Sequence, residues 1–163
     1  MSLCPAPFLF VGKNSISKVP LFGFIYRKTH ITVDRKSLKS KYETFQKAKQ
    51  ALDENLSLCI FPEGGIASKQ IPQLHRFKDG PFRIAIEKQV EIVPVTIPYN
   101  WQIMPDDNSY RIFPKRGEII FHKPISTKEF TLDNVDQLKI KTKTVIEEEI
   151  SHHFPISDRQ LTE

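Results

Sequence analysis

Three short apolar runs in this 163-residue chain are each followed closely by residues that can do chemistry: Lys13 one glycine after Phe8-Leu9-Phe10-Val11, Asp34-Arg35 after Ile31-Thr32-Val33, and Glu63-Gly64-Gly65 after Leu58-Cys59-Ile60-Phe61-Pro62. Together they supply two cations, two carboxylates and unhindered backbone amides, a set suited to a phosphate-bearing substrate. The planar fork of Arg35 makes two charge-assisted hydrogen bonds to a phosphate at once, whereas Lys13 acts as a compact point charge. Gly64 and Gly65 let a ligand approach the backbone closely. Glu63 takes one of two roles, acceptor for a substrate hydroxyl or brace for its own loop. The plainer reading of the two cations is solvated surface.

Apolar patterning says what must position these residues. Residues 8–11 read as a buried strand and Gly12-Lys13-Asn14-Ser15 as a turn. Residues 16–28 are apolar but broken by Pro20 and Gly23, which predicts one or two short helices. The β-branched run 31–33 reads as a strand. Over residues 40–54, Tyr42, Phe45, Ala48 and Leu52 recur at helical spacing with lysines on the other face. Residues 56–61 give a further strand that Pro62 stops, and 66–79 look irregular. Residues 80–88 read as a helix with Pro81 in its first turn, and 91–97 as a strand. Residues 110–113 and 118–122 read as a late strand pair. A helix over 133–152 turns Val135, Leu138, Thr142, Val145 and Ile150 inward. Strands alternating with helices predict an α/β fold, a largely parallel or mixed sheet flanked by helices, in a single domain over 1–163 with a flexible tail at 152–163. In such sheets ligands collect beyond the carboxyl ends of strands, where Lys13, Asp34, Arg35 and Glu63 fall.

Bulk composition agrees with one core, since 39% of residues are hydrophobic and 26% charged. The net charge of +5 is unevenly placed: residues 1–50 carry 10 Lys and Arg against 2 acids, the rest 14 against 17. That bias favours an anionic partner, whether phosphorylated substrate, anionic membrane or nucleic acid. The basic residues of 40–54 lack interleaved aromatics in a recognisable arrangement, which argues against nucleic acid. Of two cysteines, Cys59 sits inside an apolar run, so neither a disulfide framework nor a metal site is expected. No apolar run approaches membrane-spanning length and no signal peptide opens the chain, which predicts a soluble, cytoplasmic-type protein.

Phe61-Pro62-Glu63-Gly64 resembles the FPEG motif of the glycerol-phosphate and lysophosphatidate acyltransferases. Ile31-Thr32-Val33-Asp34-Arg35 resembles that family's second block, and Ile92-Val93-Pro94-Val95-Thr96-Ile97 its fourth. Phe77-Lys78-Asp79-Gly80-Pro81-Phe82-Arg83 is similar to the Phe-Lys-x-Gly-x-x-Arg stretch that links the third and fourth. The likeness runs over residues 8–123. It implies a glycerol-phosphate acyltransferase-like fold and acyl transfer from a coenzyme A or acyl-carrier-protein thioester, as co-substrate and with no cofactor, to the free hydroxyl of 1-acylglycerol 3-phosphate, giving phosphatidic acid. In that likeness Arg35 binds phosphate with Lys13 assisting, while Glu63 and Gly64 hold the glycerol phosphate. Pro94 belongs to the acyl or core side of the cleft.

Two departures qualify the carry-over. The third block usually continues Gly-Thr-Arg, but here Gly64 leads to Gly65 and Ile66, so phosphate contacts fall to Lys69, His75, Arg76 or Lys78. The first block, His-x4-Asp, supplies the general base and its orienting carboxylate, and no His precedes His30. His153 and Asp158 match that spacing by letter but follow the last helix, and His30/Asp34 and His75/Asp79 are one residue short. No catalytic residue is therefore assigned. A serine-hydrolase reading fails for want of a Gly-x-Ser-x-Gly elbow. The expectation is a fragment cut after its first motif, which binds substrate without turning over and self-associates through an exposed sheet edge or apolar face. Its place would be the cytoplasmic side of a membrane, peripheral or held by a missing N-terminal segment, with residues 16–26 either dipping into the interface or forming core. The alternative is a non-catalytic module for phospholipid or phosphate.

Overall fold

The computed structural model describes residues 7–13, 22–34, 36–65, 72–105 and 111–155. The chain divides into two compact units, Met1–Pro62 and Glu63–Glu163.

In the first unit, β1 (Phe8–Lys13), α1 (Phe22–Thr29), β2 (Ile31–Val33), α2 (Leu38–Asp53) and β3 (Ser57–Ile60) follow one another. β1 is central, with β2 and β3 parallel on either side. Side chains alternate across the sheet. Phe10 and Gly12 face α1: His30 packs edge-on to Phe10 at 5.3 Å, and a methyl at Gly12 would collide with the Tyr26 hydroxyl. Leu9 and Ile31 instead line a hollow with Lys47, Gln50 and Ala51 of α2. The two helices thus cover opposite faces, as right-handed crossovers on either side of a central strand require. Ala48 and Ala51, the buried residues of α2, are small enough to let its backbone lie close to buried Ile31 and Val33. Ser37 caps α2, its hydroxyl accepting the Ser40 N–H at 3.1 Å, a bond of about 1 kcal/mol.

The second unit contains α3 (Asp79–Lys88), β4 (Val95–Thr96), α4 (Asn100–Ile103), β5 (Ile120–Phe121) and α5 (Val135–His153). Its core joins Phe77, Phe82, Ile86, Ile125, Phe130, Val135, Leu138 and Ile146. On α5 the buried positions 135, 138, 139, 142 and 146 form one stripe at helical spacing. Lys139 belongs to that stripe, and its buried ammonium lies 2.5 Å from both Asp79 and Asp136.

Several local expectations are corrected. The first strand runs on through Gly12 and Lys13, because β2 pairs with them in register, so those two residues are not a turn. Tyr42 is exposed; the inward face of α2 is set by the alanines. Of 91–97 only β4 is strand, with an isolated bridge from Ile92 to Ile125. β5 pairs antiparallel with β4, and residues 111–113 carry no strand. Helix α5 continues to His153, and Phe154 packs on Tyr99 and Trp101, so residues 152–155 belong to the fold. Residues 14–21, 66–71 and 156–163 lie outside the described residues, and with them part of the proposed interface segment, Lys69 and most of the expected tail.

Candidate functional site

Lys13 and Val33 stand in register, so β1 and β2 end side by side with Asp34 next in line. Asp34 is tied into the turn that follows: its N–H donates to the Ser40 hydroxyl at 2.9 Å, its Oδ1 accepts the Lys36 N–H at 3.0 Å, and its carbonyl accepts the Ser37 N–H at 3.2 Å. This aspartate is therefore a brace that fixes the entry to α2. Arg35 and the side chain of Lys13 lie outside the described residues. Phe61, directly after β3, is exposed and stacks on Phe10 at 6.5 Å.

In the second unit, Glu63 takes the bracing role of its two alternatives. Its Oε2 accepts the His75 backbone N–H at 2.8 Å, pinning the start of the loop to its end twelve residues on. Gly64 has φ +75°, and a Cβ there would lie 3.3 Å from the Lys78 Cγ. Glycine is needed at this position both for its backbone conformation and for space. Glu63, Gly64, His75 and Lys78 are thereby brought together. Gly65 and the side chains of His75, Arg76 and Lys78 are exposed, and Arg76 lines a groove with Asp136, Lys139 and Lys143.

The segment from Phe77 to Arg83 alternates anchoring with display. Phe77 and Phe82 stack at 6.0 Å inside the core, Lys78 lies beside Gly64, and Asp79 holds Lys139. The hydrogen bond from Lys139 lowers the Asp79 pKa against a smaller opposing effect of burial. Hydrogen bonds to Asp136 and then Asp79 raise that of Lys139. The sequence reading missed this clamp. Its signal was a lysine on the apolar stripe of α5, three residues after an aspartate.

Three of the five histidine side chains have described partners. His30 Nδ1 accepts the Phe10 N–H at 3.4 Å, at the amino end of β2, while Asp34 stands at the other end, about 13 Å along an extended strand. His122 Nε2 bonds Thr96 Oγ1 at 2.9 Å. His153 bonds the Tyr99 hydroxyl at 2.8 Å and Glu149 at 3.2 Å. Asp79, the partner spaced from His75, is held by Lys139.

A family model described as Acyltransferase matches residues 1–98. The chain belongs to the acyltransferase family. This acyltransferase is 31% identical to the 1-acyl-sn-glycerol-3-phosphate acyltransferase of Cocos nucifera, over 83% of the chain and 44% of that protein. It is 31% identical to the enzyme of the same name from Haemophilus influenzae, over 86% of the chain and 58% of that protein, and 28% identical to one from Chlamydomonas reinhardtii, over 81% and 38%. It therefore spans roughly half the length of the curated relatives it matches. Its fold is shared with the crystal structure of the 1-acyl-sn-glycerophosphate acyltransferase PlsC from Thermotoga maritima, with a TM-score of 0.69 at 19% identity over 91% of this chain and 57% of that one. The fold so shared is the expected α/β one.

Proposed function

We propose that this acyltransferase chain holds the acceptor in the transfer of a fatty acyl group from a coenzyme A or acyl-carrier-protein thioester to the free hydroxyl of 1-acylglycerol 3-phosphate, yielding phosphatidic acid. The observation that carries the reading is the Phe61-Pro62-Glu63-Gly64 turn, where a carboxylate is spent on holding a loop whose glycine leaves backbone and Lys78 close together. Such a turn presents amides and a cation to an anionic group. In the first unit the proposed acceptor contacts are Lys13, Arg35, which follows Asp34 in the sequence, and Asp34 through the turn it braces; in the second unit they are Gly64 and Gly65, in the turn that Glu63 holds, with His75, Arg76 and Lys78 as the loop's candidate contacts. Their contribution is orientation and charge complementarity, which lower the barrier without covalent participation.

None of the five histidines is assigned as the general base for the attacking hydroxyl; the bonds of His30, His122 and His153 support that reading for those three. The chain is accordingly expected to bind lysophosphatidate without catalytic turnover. Long-chain acceptor resides in the bilayer, so the proposed location is peripheral, on the cytoplasmic side of a membrane. The test combines saturable binding of lysophosphatidate with product formation from acyl-CoA. Binding without turnover is expected, enzyme-like turnover by this chain would overturn the assignment of its histidines, and no saturable binding would overturn the acceptor site itself.

A further inference from the structure

Of the five buried positions on α5, one is charged: Lys139, 7% exposed. Burying an ammonium costs about as much as its ion pairs return, and an apolar side chain would pack in that stripe as well or better. The lysine is accounted for by what it holds. Its ammonium lies 2.5 Å from Asp136 on its own helix and 2.5 Å from Asp79, the first residue of α3. An acid suits the first turn of a helix, and Lys78, the N-cap residue, makes no side-chain capping bond. Both carboxylates are nevertheless a liability where they stand. Asp79 follows Lys78 directly and feels the charges of Arg76 and Arg83, while Asp136 lines one groove with Arg76 and Lys139. Unpaired, the two acids would draw these cations to themselves and repel an arriving phosphate.

We propose that Lys139 is a positioning residue for anion recognition: by pairing with Asp79 and Asp136 it keeps Arg76 and Lys78 available to a phosphate monoester. It touches no ligand itself and acts through the two carboxylates. Arg76 and Lys78 are both exposed, and Lys78 stands beside the Gly64 turn, where backbone amides face the same anion. The inference rests on the acceptor-binding reading in taking these two cations as contacts. It adds to that reading a residue of α5, outside the residues 1–98 that the family model matches.

Titration calorimetry with water-soluble short-chain 1-acylglycerol 3-phosphate tests the proposal, with circular dichroism and thermal unfolding establishing that each variant is folded. Lys139→Met, which keeps a side chain of similar length and releases both acids, should weaken binding roughly threefold to tenfold. Adding Asp79→Asn and Asp136→Asn should return the affinity to within about twofold of native. The same number of neutralisations at two exposed acids elsewhere in the unit, Glu129→Gln and Glu148→Gln, should leave the Lys139→Met loss in place. That control separates local pairing from net charge. The proposal is overturned if Lys139→Met binds as well as the native chain, if the triple variant stays as weak as Lys139→Met, or if the control pair restores binding equally. Asp79→Asn alone leaves Lys139 paired with Asp136 and serves where Lys139→Met does not fold. It should bind at least as tightly as the native chain; a loss of more than about threefold overturns the proposal, because the carboxylate itself is then needed. Pyrophosphate, titrated into the same variants, reads the cations without glycerol or acyl chain. The same ranking with pyrophosphate and no binding of the lysophosphatidate counts against the acceptor reading and leaves the role of Lys139 standing. No saturable binding of either anion overturns both.

Discussion

The two units of this chain use their apolar residues in different ways. In the second, eight aromatic and aliphatic side chains converge on α3 and α5, with Leu138 fully enclosed. In the first, the buried apolar residues among those described are Tyr26, Ile31, Val33, Ala48 and Ala51, while five large ones stand exposed. Both units leave large apolar side chains exposed; the difference lies in what is buried, small residues and a few strand positions in the first unit, a cluster of large side chains in the second. The difference teaches that stability is concentrated in the second unit's core, around α3 and α5.

The sharpest way to break this contrast is by truncation. Leu138→Ala should cost about 3–5 kcal/mol in urea unfolding of the second unit, whereas Tyr42→Ala in the first should change stability by less than about 0.5 kcal/mol. Similar costs at the two positions would abolish the distinction. Next in size is the Lys139 clamp. The Asp79 pKa is lowered in the folded state, so its stabilising contribution is present above the ordinary aspartate range near about 4 and is lost as pH falls through the folded value. Lys139→Met should therefore flatten the acid side of the stability–pH curve measured by urea midpoints. An unchanged acid limb would show that the clamp contributes nothing.

Smaller effects sharpen the account of the loop. Gly64→Ala should cost about 1–2 kcal/mol, because its left-handed backbone disfavours a side chain and Lys78 stands beside the space the methyl needs. Gly80 has no atom within 4 Å of where a Cβ would stand and lies in the first turn of α3, so Gly80→Ala should stabilise by up to about 1 kcal/mol. Thermal unfolding of the pair distinguishes a required glycine from a tolerated one. Asp34→Asn, which keeps an acceptor for the Lys36 N–H but removes its charge, should lower stability by less than about 1 kcal/mol.

Much of this was legible in the sequence where local pattern and long-range packing agree. The run 31–33, the helix around residues 40–54 and the apolar stripe of α5 each carry their own periodicity. The loop turn was legible because Pro62 and two glycines leave few conformations. Where packing overrides pattern, the reading failed. Tyr42 fits the helical stripe but is displaced from the interior by Ala48 and Ala51, which let α2 approach the sheet. The strand pairing of β5 with β4 joins residues some 25 apart, and nothing in the intervening polar stretch signals it. The role of Asp34 was likewise hidden, since an acid after a strand looks the same whether it awaits a ligand or caps the next helix. The Lys139 clamp was only half legible: Asp136 stands three residues before it in the same helix, but Asp79 comes from α3, 60 residues away.

The central proposal is that this chain recognises a phosphate monoester on a glycerol backbone, with Arg35 as one of its contacts. Titration calorimetry with short-chain 1-acylglycerol 3-phosphate and with the corresponding monoacylglycerol tests it most directly, on the native chain and on Arg35→Ala. The expected result is saturable binding of the phosphate compound only, weakened roughly tenfold or more by Arg35→Ala, the loss of one bidentate charge-assisted contact. Equal affinity for the two ligands, or binding indifferent to Arg35, would contradict the account.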